Sequence, residues 1–375
     1  MAKKAGVSVG TVSNVLTGII PVSPRRRDRV LAVIHELGFR PNHIARSLKL
    51  RHTKMLGMII SDITNPFFSH LVRGAEDAAL QHKYLLLTFN TDDHIKRERQ
   101  ALEVLRERQV DGILLVVAPG NTGYSHITET IAKGTPVVCL DRVPPKIQVD
   151  SVTVNNVKAT QDCVRHLIAA GHREIGIITG SIILQTARQR LQGYKRALVE
   201  AGIPVKQEYI WKGEFRASSG YELGKALLSM PHRPTAVFCS NGMMALGVLK
   251  AVEELGLRCP DDLAVAVFDD LPLAEVVRPH LTSVAQPAYW VGYKGAELLM
   301  QKIARKATGK PVGLIKPVRI VLPTELKIRE STARAQAGGP AGAGTAGVDR
   351  GESRGAGGKK DTVAAKGEAR EGGRG

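Results

Sequence analysis

The chain has 375 residues, enough for two or three domains, and carries a net charge of +18. Residues 1–54 hold 11 Lys and Arg against 2 Asp and Glu, the charge pattern of a segment that binds phosphates. No stretch approaches the ~18 apolar residues of a membrane span, and the N-terminus lacks the apolar segment of a secretory signal. The four cysteines and the scattered histidines show no metal-ligand spacing. We therefore expect a cytoplasmic protein with reduced thiols, no metal site, no cofactor and no membrane partner.

Two helices are predicted in the basic segment. Ser8 is a ready N-cap for a helix that runs to about Leu16, with Val12 facing inward and small or polar side chains facing outward. Ser23 and Pro24 then supply an N-cap and a first-turn proline for a second helix that ends at Gly38. Its apolar stripe consists of Val30, Val33, Ile34 and Leu37. This pattern favours a helix-turn-helix, with an ordinary amphipathic helix as the alternative.

From residue 55 the pattern alternates between strands and helices. Short apolar runs typical of buried parallel strands occur at 55–60, 84–89, 112–117, 136–140, 174–179, 235–239 and 263–268. Helical patterns separate them, at about 67–82, 95–108, 122–133, 186–201, 218–229 and 242–255. Two such blocks imply two doubly wound lobes, with a ligand cleft at the carboxyl ends of their strands.

The C-terminal segment differs in composition. In residues 335–375, Val348 and Val363 are the only large aliphatic residues, so this stretch cannot bury enough apolar surface to fold. We predict a disordered tail there, with no function assigned to it.

Six separated motifs, in family order, resemble the lactose/galactose repressor (LacI/GalR) family over roughly residues 2–332. They are AGVS at 5–8 with TVS at 11–13, RPN at 40–42 with ARSL at 45–48, SDITNPFF at 61–68, GHREIG at 171–176, PTAVFCSNGMMALG at 234–247 and PHLTSVAQP at 279–287. The resemblance implies an all-α helix-turn-helix headpiece followed by an α/β, two-lobed, periplasmic-binding-protein-like effector domain with doubly wound parallel sheets. The implied boundaries are 1–41 for the headpiece, 42–54 for a hinge helix and linker, 55–332 for the effector domain and 333–375 for the tail. It further implies that the chain crosses between the lobes three times, near residues 155, 285 and 318.

The resemblance also assigns DNA contacts. Val9, Gly10 and Asn14 match positions that read base edges in the major groove, although Gly10 offers no side chain. The candidates for phosphate contacts are Thr11, Ser13, Arg25 to Arg27 and Asn42. Leu48, with Ala45 matching beside it, is expected to wedge into a minor-groove step from both subunits; the alternative is a core leucine. Family members carry several more residues before Ala2, so the first helix is expected to be truncated and operator binding by this chain to be weak.

The effector residues implied by the resemblance are Phe67, Phe68, Asp141, Thr186, Arg190, Phe215, Asn241 and Asp269. Aromatic faces with Asp, Arg and Asn suit a polyol or a flat heterocycle. The sequence departs from the family pattern at Gly242, where many members have Asp, and at Leu184, where the purine-binding member has a polar contact, and both departures weaken the case for any one ligand. We expect a sugar or sugar-phosphate rather than a purine. The alternatives are that the charged residues form structural ion pairs and that the phenylalanines form a hydrophobic staple.

The implied function is that of a homodimeric, ligand-controlled transcriptional regulator, usually a repressor, acting on a pseudo-palindromic operator. A phosphocarrier protein as co-effector stays open. The alternatives are a solute-binding protein of the same fold and a ligand sensor without effective DNA binding. An enzyme is not expected, because no nucleophile–base constellation appears.

Overall fold

The structure, a computed structural model, describes residues 1–17, 20–38, 52–120, 123–272, 276, 278–307 and 316–333. The predicted hinge residues Asn42, Ala45 and Leu48, and the tail beyond Ala333, lie outside the described residues. Among the described residues, no helix is both long enough and apolar enough to cross a bilayer.

The N-terminal segment contains three short helices, α1 (Ala2–Ala5), α2 (Val9–Thr17) and α3 (Pro24–Glu36). The predicted cap of α2 is present, because the Thr11 amide donates to Ser8 Oγ at 3.1 Å. A small core joins the three helices through the buried side chains of Ala5, Val12, Val30 and Val33. The apolar stripe of α3 was predicted one residue too long, since Leu37 is 48% exposed and caps the helix. Ser23 stands at the N-cap of α3 but its side chain accepts no capping hydrogen bond.

Lobe one is a six-stranded sheet in the order β11-β5-β4-β3-β1-β2. Its strands are β1 (Met55–Ile60), β2 (Leu85–Asn90), β3 (Gly112–Leu115), β4 (Val137–Leu140), β5 (Asp150–Val154) and β11 (Arg319–Leu322). Its helices are α4 (Pro66–Gln81), α5 (Ile95–Glu107), α6 (Ser125–Ala132) and α11 (Ala288–Ala307). One core packs α4 and α11 on the first face, and another packs α5 and α6 on the second, as expected for a buried parallel sheet.

Lobe two repeats this plan with the order β12-β10-β9-β8-β6-β7. Its strands are β6 (Ile175–Thr179), β7 (Ile210–Lys212), β8 (Ala236–Cys239), β9 (Ala264–Phe268), β10 (Thr282–Ala285) and β12 (Glu325–Lys327). Its helices are α7 (Asn156–Ala169) and α8 (Gln185–Glu200) on one face, and α9 (Ala217–Leu228) and α10 (Gly242–Glu254) on the other. The strand pairings are parallel except for β12, which runs antiparallel to β10.

The described chain passes between the lobes three times, so each lobe is discontinuous. The first two crossings, at 155 and 286–287, agree with the expected positions. The third was expected near 318, which is wrong. Residues 319–322 form β11 and pair with β5 in lobe one, so the chain crosses at 323–324, before β12. The sequence analysis did not predict the strands β5, β7, β10, β11 and β12 or the helices α7 and α11. The short strands β11 and β12 show no clear periodicity because they consist of only three or four half-exposed residues.

Candidate functional site

A cavity of about 520 Å³ lies between the two lobes. It is lined by segments that follow the carboxyl ends of β1, β4, β6 and β9, so it occupies the crevice where parallel α/β sheets bind ligands. The eight effector residues predicted from the sequence all line this one cavity: Phe67, Phe68, Asp141, Thr186, Arg190, Phe215, Asn241 and Asp269.

The lining of lobe one contains a closed charge cluster that sequence reasoning missed. Arg142 is buried, and its Nη1 donates to Asp93 Oδ1 at 2.5 Å and to Ser61 Oγ at 3.0 Å. Ser61 in turn donates to Asp93 Oδ1 at 2.7 Å. Burial opposes ionisation of Asp93, but Arg142 and the hydrogen bonds outweigh it and hold the pKa of Asp93 below its ordinary value. The only available signal in the sequence was the position of these residues just after strand ends.

Asp141 directly follows the last residue of β4 and has a positive φ of 61°. Its contact with Arg142 is looser than that of Asp93. Its Oδ2 lies 3.4 Å from Arg142 Nε, longer than the bond between Arg142 and Asp93. Burial raises the pKa of Asp141 above its ordinary value, although Arg142 and Arg190 oppose the rise. The nearby arginines therefore do not fully offset the cost of burying the Asp141 carboxylate. This carboxylate is suited to accept hydrogen bonds from a bound ligand.

The lining of lobe two centres on Asp269 and Arg190. Asp269 ends β9 with a φ of 83°, and its Oδ1 accepts a hydrogen bond from Gln286 Nε2 at 2.5 Å. Burial raises the pKa of Asp269, while Arg190 and the bond from Gln286 oppose the rise. Asp269 is thus a second buried carboxylate, on the opposite side of the cavity from Asp141.

Two hydrogen bonds and a ring contact fix the Arg190 guanidinium group but leave one of its nitrogen atoms without a partner in the part of the chain that the structure describes. Its Nε donates to Asn156 Oδ1 at 2.9 Å, its Nη1 donates to the Ser240 carbonyl at 2.6 Å, and its Cζ lies 3.7 Å from the Phe268 ring centroid. Among the described residues, Arg190 Nη2 has no hydrogen-bond partner. Burial lowers the pKa of Arg190, and Asp269 and Asp141 oppose this effect. The arginine therefore presents one preorganised donor to the cavity.

The aromatic residues line both sides of the cavity. Asn65 caps α4 by accepting from the Phe67 amide, and the Phe67 and Phe68 rings meet edge to face at 5.1 Å. Phe68 is buried in the lobe-one core, and both rings also line the cavity. In lobe two, the Phe215 ring lies close to Gly180. A Cβ atom added at Gly180 would be only 2.7 Å from this ring. Gly180, which sequence reasoning missed, makes room for Phe215.

The remaining predicted residues mainly shape the lining. Asn241 caps α10, because its Oδ1 accepts from the Met244 amide at 2.9 Å while its Nδ2 donates to the Phe215 carbonyl at 3.2 Å. Thr186 is buried. The unusual glycine at 242 also has a steric basis, since a Cβ there would meet Leu271 Cδ2 at 2.5 Å.

The cavity as a whole is acidic. In the described part of the chain, six carboxylates line it, those of Asp62, Asp92, Asp93, Asp141, Glu214 and Asp269, against the three guanidinium groups of Arg142, Arg190 and Arg216. Arg142 is already committed to Asp93, and Arg216 pairs with Glu214 at 3.6 Å. An anionic ligand would therefore face an excess of negative charge.

The outer face of α2 is the candidate DNA-binding surface. Val9 is 76% exposed, which is unusual for an apolar residue, and Gly10 is also exposed. Thr11, Ser13 and Asn14 are half-buried on the same helix, and Arg25 is exposed at the start of α3. Val12 packs inward, as predicted. This helix presents side chains that can contact bases and phosphates.

Comparison with known proteins identifies the chain. Residues 1–42 match the family model of bacterial regulatory proteins, lacI family, and residues 53–324 match the periplasmic binding proteins and sugar binding domain of the LacI family. The chain belongs to the LacI family. It is a DNA-binding transcriptional regulator with an effector domain, and it is not an enzyme.

Relatives of this LacI-family regulator cover nearly its whole described length. Catabolite control protein A of Priestia megaterium is 36% identical over 333 residues, which are 88% of this chain and 98% of the relative. The ribose operon repressor of Haemophilus influenzae is 37% identical over 303 residues, 81% of this chain and 90% of the relative. The crystal structure of the lac repressor dimer bound to operator and an anti-inducer superposes with a TM-score of 0.77 at 26% identity, covering 88% of this chain and 97% of that chain.

Proposed function

We propose that the cavity between the lobes binds a neutral sugar and that its occupancy changes the affinity of the protein for its operator. The observation that carries this proposal is the pair of buried carboxylates, Asp141 and Asp269, at equivalent strand ends on opposite sides of one cavity. Carboxylates accept hydrogen bonds from sugar hydroxyls, and the spare Nη2 of Arg190 donates to a sugar oxygen. Phe67 and Phe215 supply apolar faces for the C–H groups of the ring.

Charge and hydrogen bonding separate a neutral sugar from the other ligand classes. The six lining carboxylates outnumber the three lining guanidinium groups together with Arg97, which pairs with Asp92, so a net negative charge disfavours a sugar-phosphate. A purine would need an amide to read its edge, but both ends of the Asn241 amide are used within the protein. Leu184 adds an apolar contact where a purine would need a polar one.

For DNA binding, we propose that the residues of this chain make the contacts that the matching positions make in the family. Val9 and Asn14 contact bases in the major groove, whereas Thr11, Ser13, Arg25 and Asn42 contact phosphates. Leu48, beside Ala45, inserts into the minor groove at the centre of a pseudo-palindrome bound by a homodimer. Sugar binding changes lobe closure and thereby the pairing of the two hinge segments, in the cytoplasm where the operators lie. A phosphocarrier protein as co-effector stays a prediction, which titration with the phosphorylated carrier would test.

Gel-shift titration across salt concentrations tests the DNA half of this proposal. The operator is first selected from random duplexes with the wild-type protein. Arg25→Gln should make the slope of log affinity against log salt shallower by about 0.9, because one phosphate contact is lost. Leu48→Ala should keep the slope and lose the preference for operator over random DNA, because it removes a wedge and no charge.

The control for this titration is Arg173→Gln, an exposed arginine in lobe two, which should leave both quantities unchanged. Full operator preference in Leu48→Ala would mean that Leu48 is a packing residue. A strictly monomeric protein in sedimentation at micromolar concentration would contradict the dimer.

A further inference from the structure

A second cavity, of about 320 Å³, also spans the two lobes. Its lobe-one wall consists of the loop 143–148 with side chains from β5 and β11, and its lobe-two wall consists of Gln185, Arg188 and Gln189 on α8. Asp141 lines both this cavity and the larger one. We call it the rear cavity. A ligand held there would touch both lobes.

The charge of the rear cavity is opposite to that of the larger cavity. Among the described residues, three cationic side chains line it, Lys146 and Arg319 from lobe one and Arg188 from lobe two, against one acidic side chain, that of Asp141. Among the described residues, neither Lys146 nor Arg319 forms an ion pair with a carboxylate. Unpaired like charges that converge on one space repel each other until an anion enters. Charge alone therefore favours an anionic occupant.

One of the three cations is preorganised. Arg188 Nη1 donates to the carbonyl oxygens of Ile182 and Ile183, at 2.8 and 2.7 Å, which fixes the guanidinium group at the start of α8. Its remaining N–H groups can donate to an anion without the entropic cost of ordering the side chain. Lys146 and Arg319 are exposed at the opposite wall and can close on the same anion.

Hydrogen bonds connect the rear cavity to the larger cavity, the one proposed above to bind a sugar and called the sugar cavity from here on. Gln189 Oε1 accepts from Asn156 Nδ2 at 3.1 Å, and Asn156 Oδ1 accepts from Arg190 Nε at 2.9 Å. The Gln185 side chain bridges the lobes directly, because its Oε1 accepts from the Val143 amide at 3.0 Å. The helix α8 therefore lines both cavities. Thr186 and Arg190 line the larger cavity, and Gln185, Arg188 and Gln189 line the rear cavity.

We propose that the rear cavity is a second binding site, for a small anion of the phosphate class, and that this anion bridges the two lobes. A tetrahedral dianion matches three cations that approach from two walls, and the volume leaves room for a short organic group on one phosphate oxygen. Its binding depends on residues of both lobes and requires no ligand in the sugar cavity, so this proposal stands apart from the assignment of the effector.

Thermal unfolding of the full chain, with inorganic phosphate as the probe and chloride at equal ionic strength as the reference, tests the proposal. Phosphate should raise the midpoint of the wild type in a saturable way, because a ligand that binds the folded state stabilises it. Lys146→Gln and Arg319→Gln should each raise the apparent Kd for phosphate roughly tenfold, and together more, since each removes a charge-assisted hydrogen bond. Arg99→Gln with Lys133→Gln, two exposed cations elsewhere in lobe one, is the matched control and should keep the wild-type Kd.

A second arm identifies the source of the phosphate group. If glycerol 3-phosphate binds more tightly than inorganic phosphate with the same sensitivity to Lys146→Gln, the site takes a phosphate ester; equal binding identifies the free anion. The proposal is overturned if phosphate and chloride act alike on the wild type. It is also overturned if phosphate stabilises the Lys146→Gln, Arg319→Gln and control proteins equally, which would mean screening or binding in the sugar cavity. Lys146 lies on a loop, so its replacement keeps the test valid if Arg319→Gln does not fold.

Discussion

Asp141 in lobe one and Asp269 in lobe two occupy equivalent places, each directly after the fourth strand of its lobe in chain order, β4 and β9. Both have a positive φ, both are buried, and the amide of each donates to a carbonyl of the next strand at 3.0 Å, that of Val152 and of Val284 respectively. Their surroundings differ. The arginine beside Asp141 is committed to Asp93 and Ser61, whereas the arginine facing Asp269 keeps its Nη2 group, with two N–H donors, available.

The same contrast appears at the first strand of each sheet. After β1 stands Ser61, whose hydroxyl joins the charge cluster, and after β6 stands Gly180, whose missing side chain admits the Phe215 ring. One backbone plan therefore supports two kinds of wall. In lobe one, Arg142 Nη1 is held by Asp93 and Ser61, which fixes the loops that carry them. In lobe two, Arg190 Nη2 stays available and Gly180 admits an aromatic face. We infer that Arg142, Asp93 and Ser61 mainly hold the shape of the lobe-one wall, while Asp141 and the lining of lobe two contact the ligand.

Arg142→Met should produce the largest effect on folding. It leaves the buried Asp141 and the half-buried Asp93 without their cation, so the free energy of unfolding should fall by about 3 kcal/mol. Urea denaturation measures this loss. The control is Arg216→Met, which removes a half-exposed arginine from the same cavity and should change stability by no more than about 0.5 kcal/mol. Equal losses of unfolding free energy in both variants would contradict the structural role of Arg142, Asp93 and Ser61.

Gly180→Ala should have an intermediate effect, because the new methyl group would lie 2.7 Å from the Phe215 ring and force it to move. Overpacking of this kind costs about 1–3 kcal/mol. The loss should appear both in urea denaturation and in affinity for a bound sugar, since Phe215 lines the cavity. Gly202→Ala gives a comparison at a glycine with no neighbour near its Cβ, although its positive φ adds strain of its own. Undiminished sugar affinity in Gly180→Ala would exclude Phe215 from recognition.

The pH dependence of stability should have opposite signs for Asp93 and Asp269. The pKa of Asp93 is lowered in the folded state, so its contribution is present above its unfolded pKa and is lost as pH falls through the folded pKa. Asp93→Asn should therefore destabilise the protein at pH 7, with the difference shrinking in acid. The pKa of Asp269 is raised, so stability is lost as pH rises through the folded pKa, and Asp269→Asn should stabilise the ligand-free protein at pH 7.

Urea denaturation of these two variants and the wild type, between about pH 4 and pH 7, measures both differences. Asparagine keeps the size of aspartate, so the comparison isolates the charge. Shifts of the same sign in the two variants would mean that the two lobes treat their carboxylates alike.

The sequence predicted most of the sheets and the site because parallel strands bring their carboxyl ends together. Asp141 and Asp269, each placed directly after an apolar run, therefore lie at the carboxyl edge of their own sheets. The family resemblance, rather than the local pattern, predicted that these two edges face one cleft. Asp93 and Ser61 escaped notice because nothing in their local pattern shows that Arg142, far along the chain, would lie between them. The third crossing was misplaced because β11 is a four-residue edge strand whose partner, β5, is remote in sequence.

Calorimetric titration of Asp269→Asn with neutral sugars tests the central claim most directly. A panel of neutral pentoses and hexoses, each paired with its phosphate ester, is first titrated into the wild type to find the sugar that binds. For that sugar, Asp269→Asn should bind at least about tenfold more weakly, because a charge-assisted hydrogen bond is lost, and Asp93→Asn should bind within about twofold of the wild type. Unchanged affinity in Asp269→Asn, or preference of the wild type for the phosphate ester, would contradict the account.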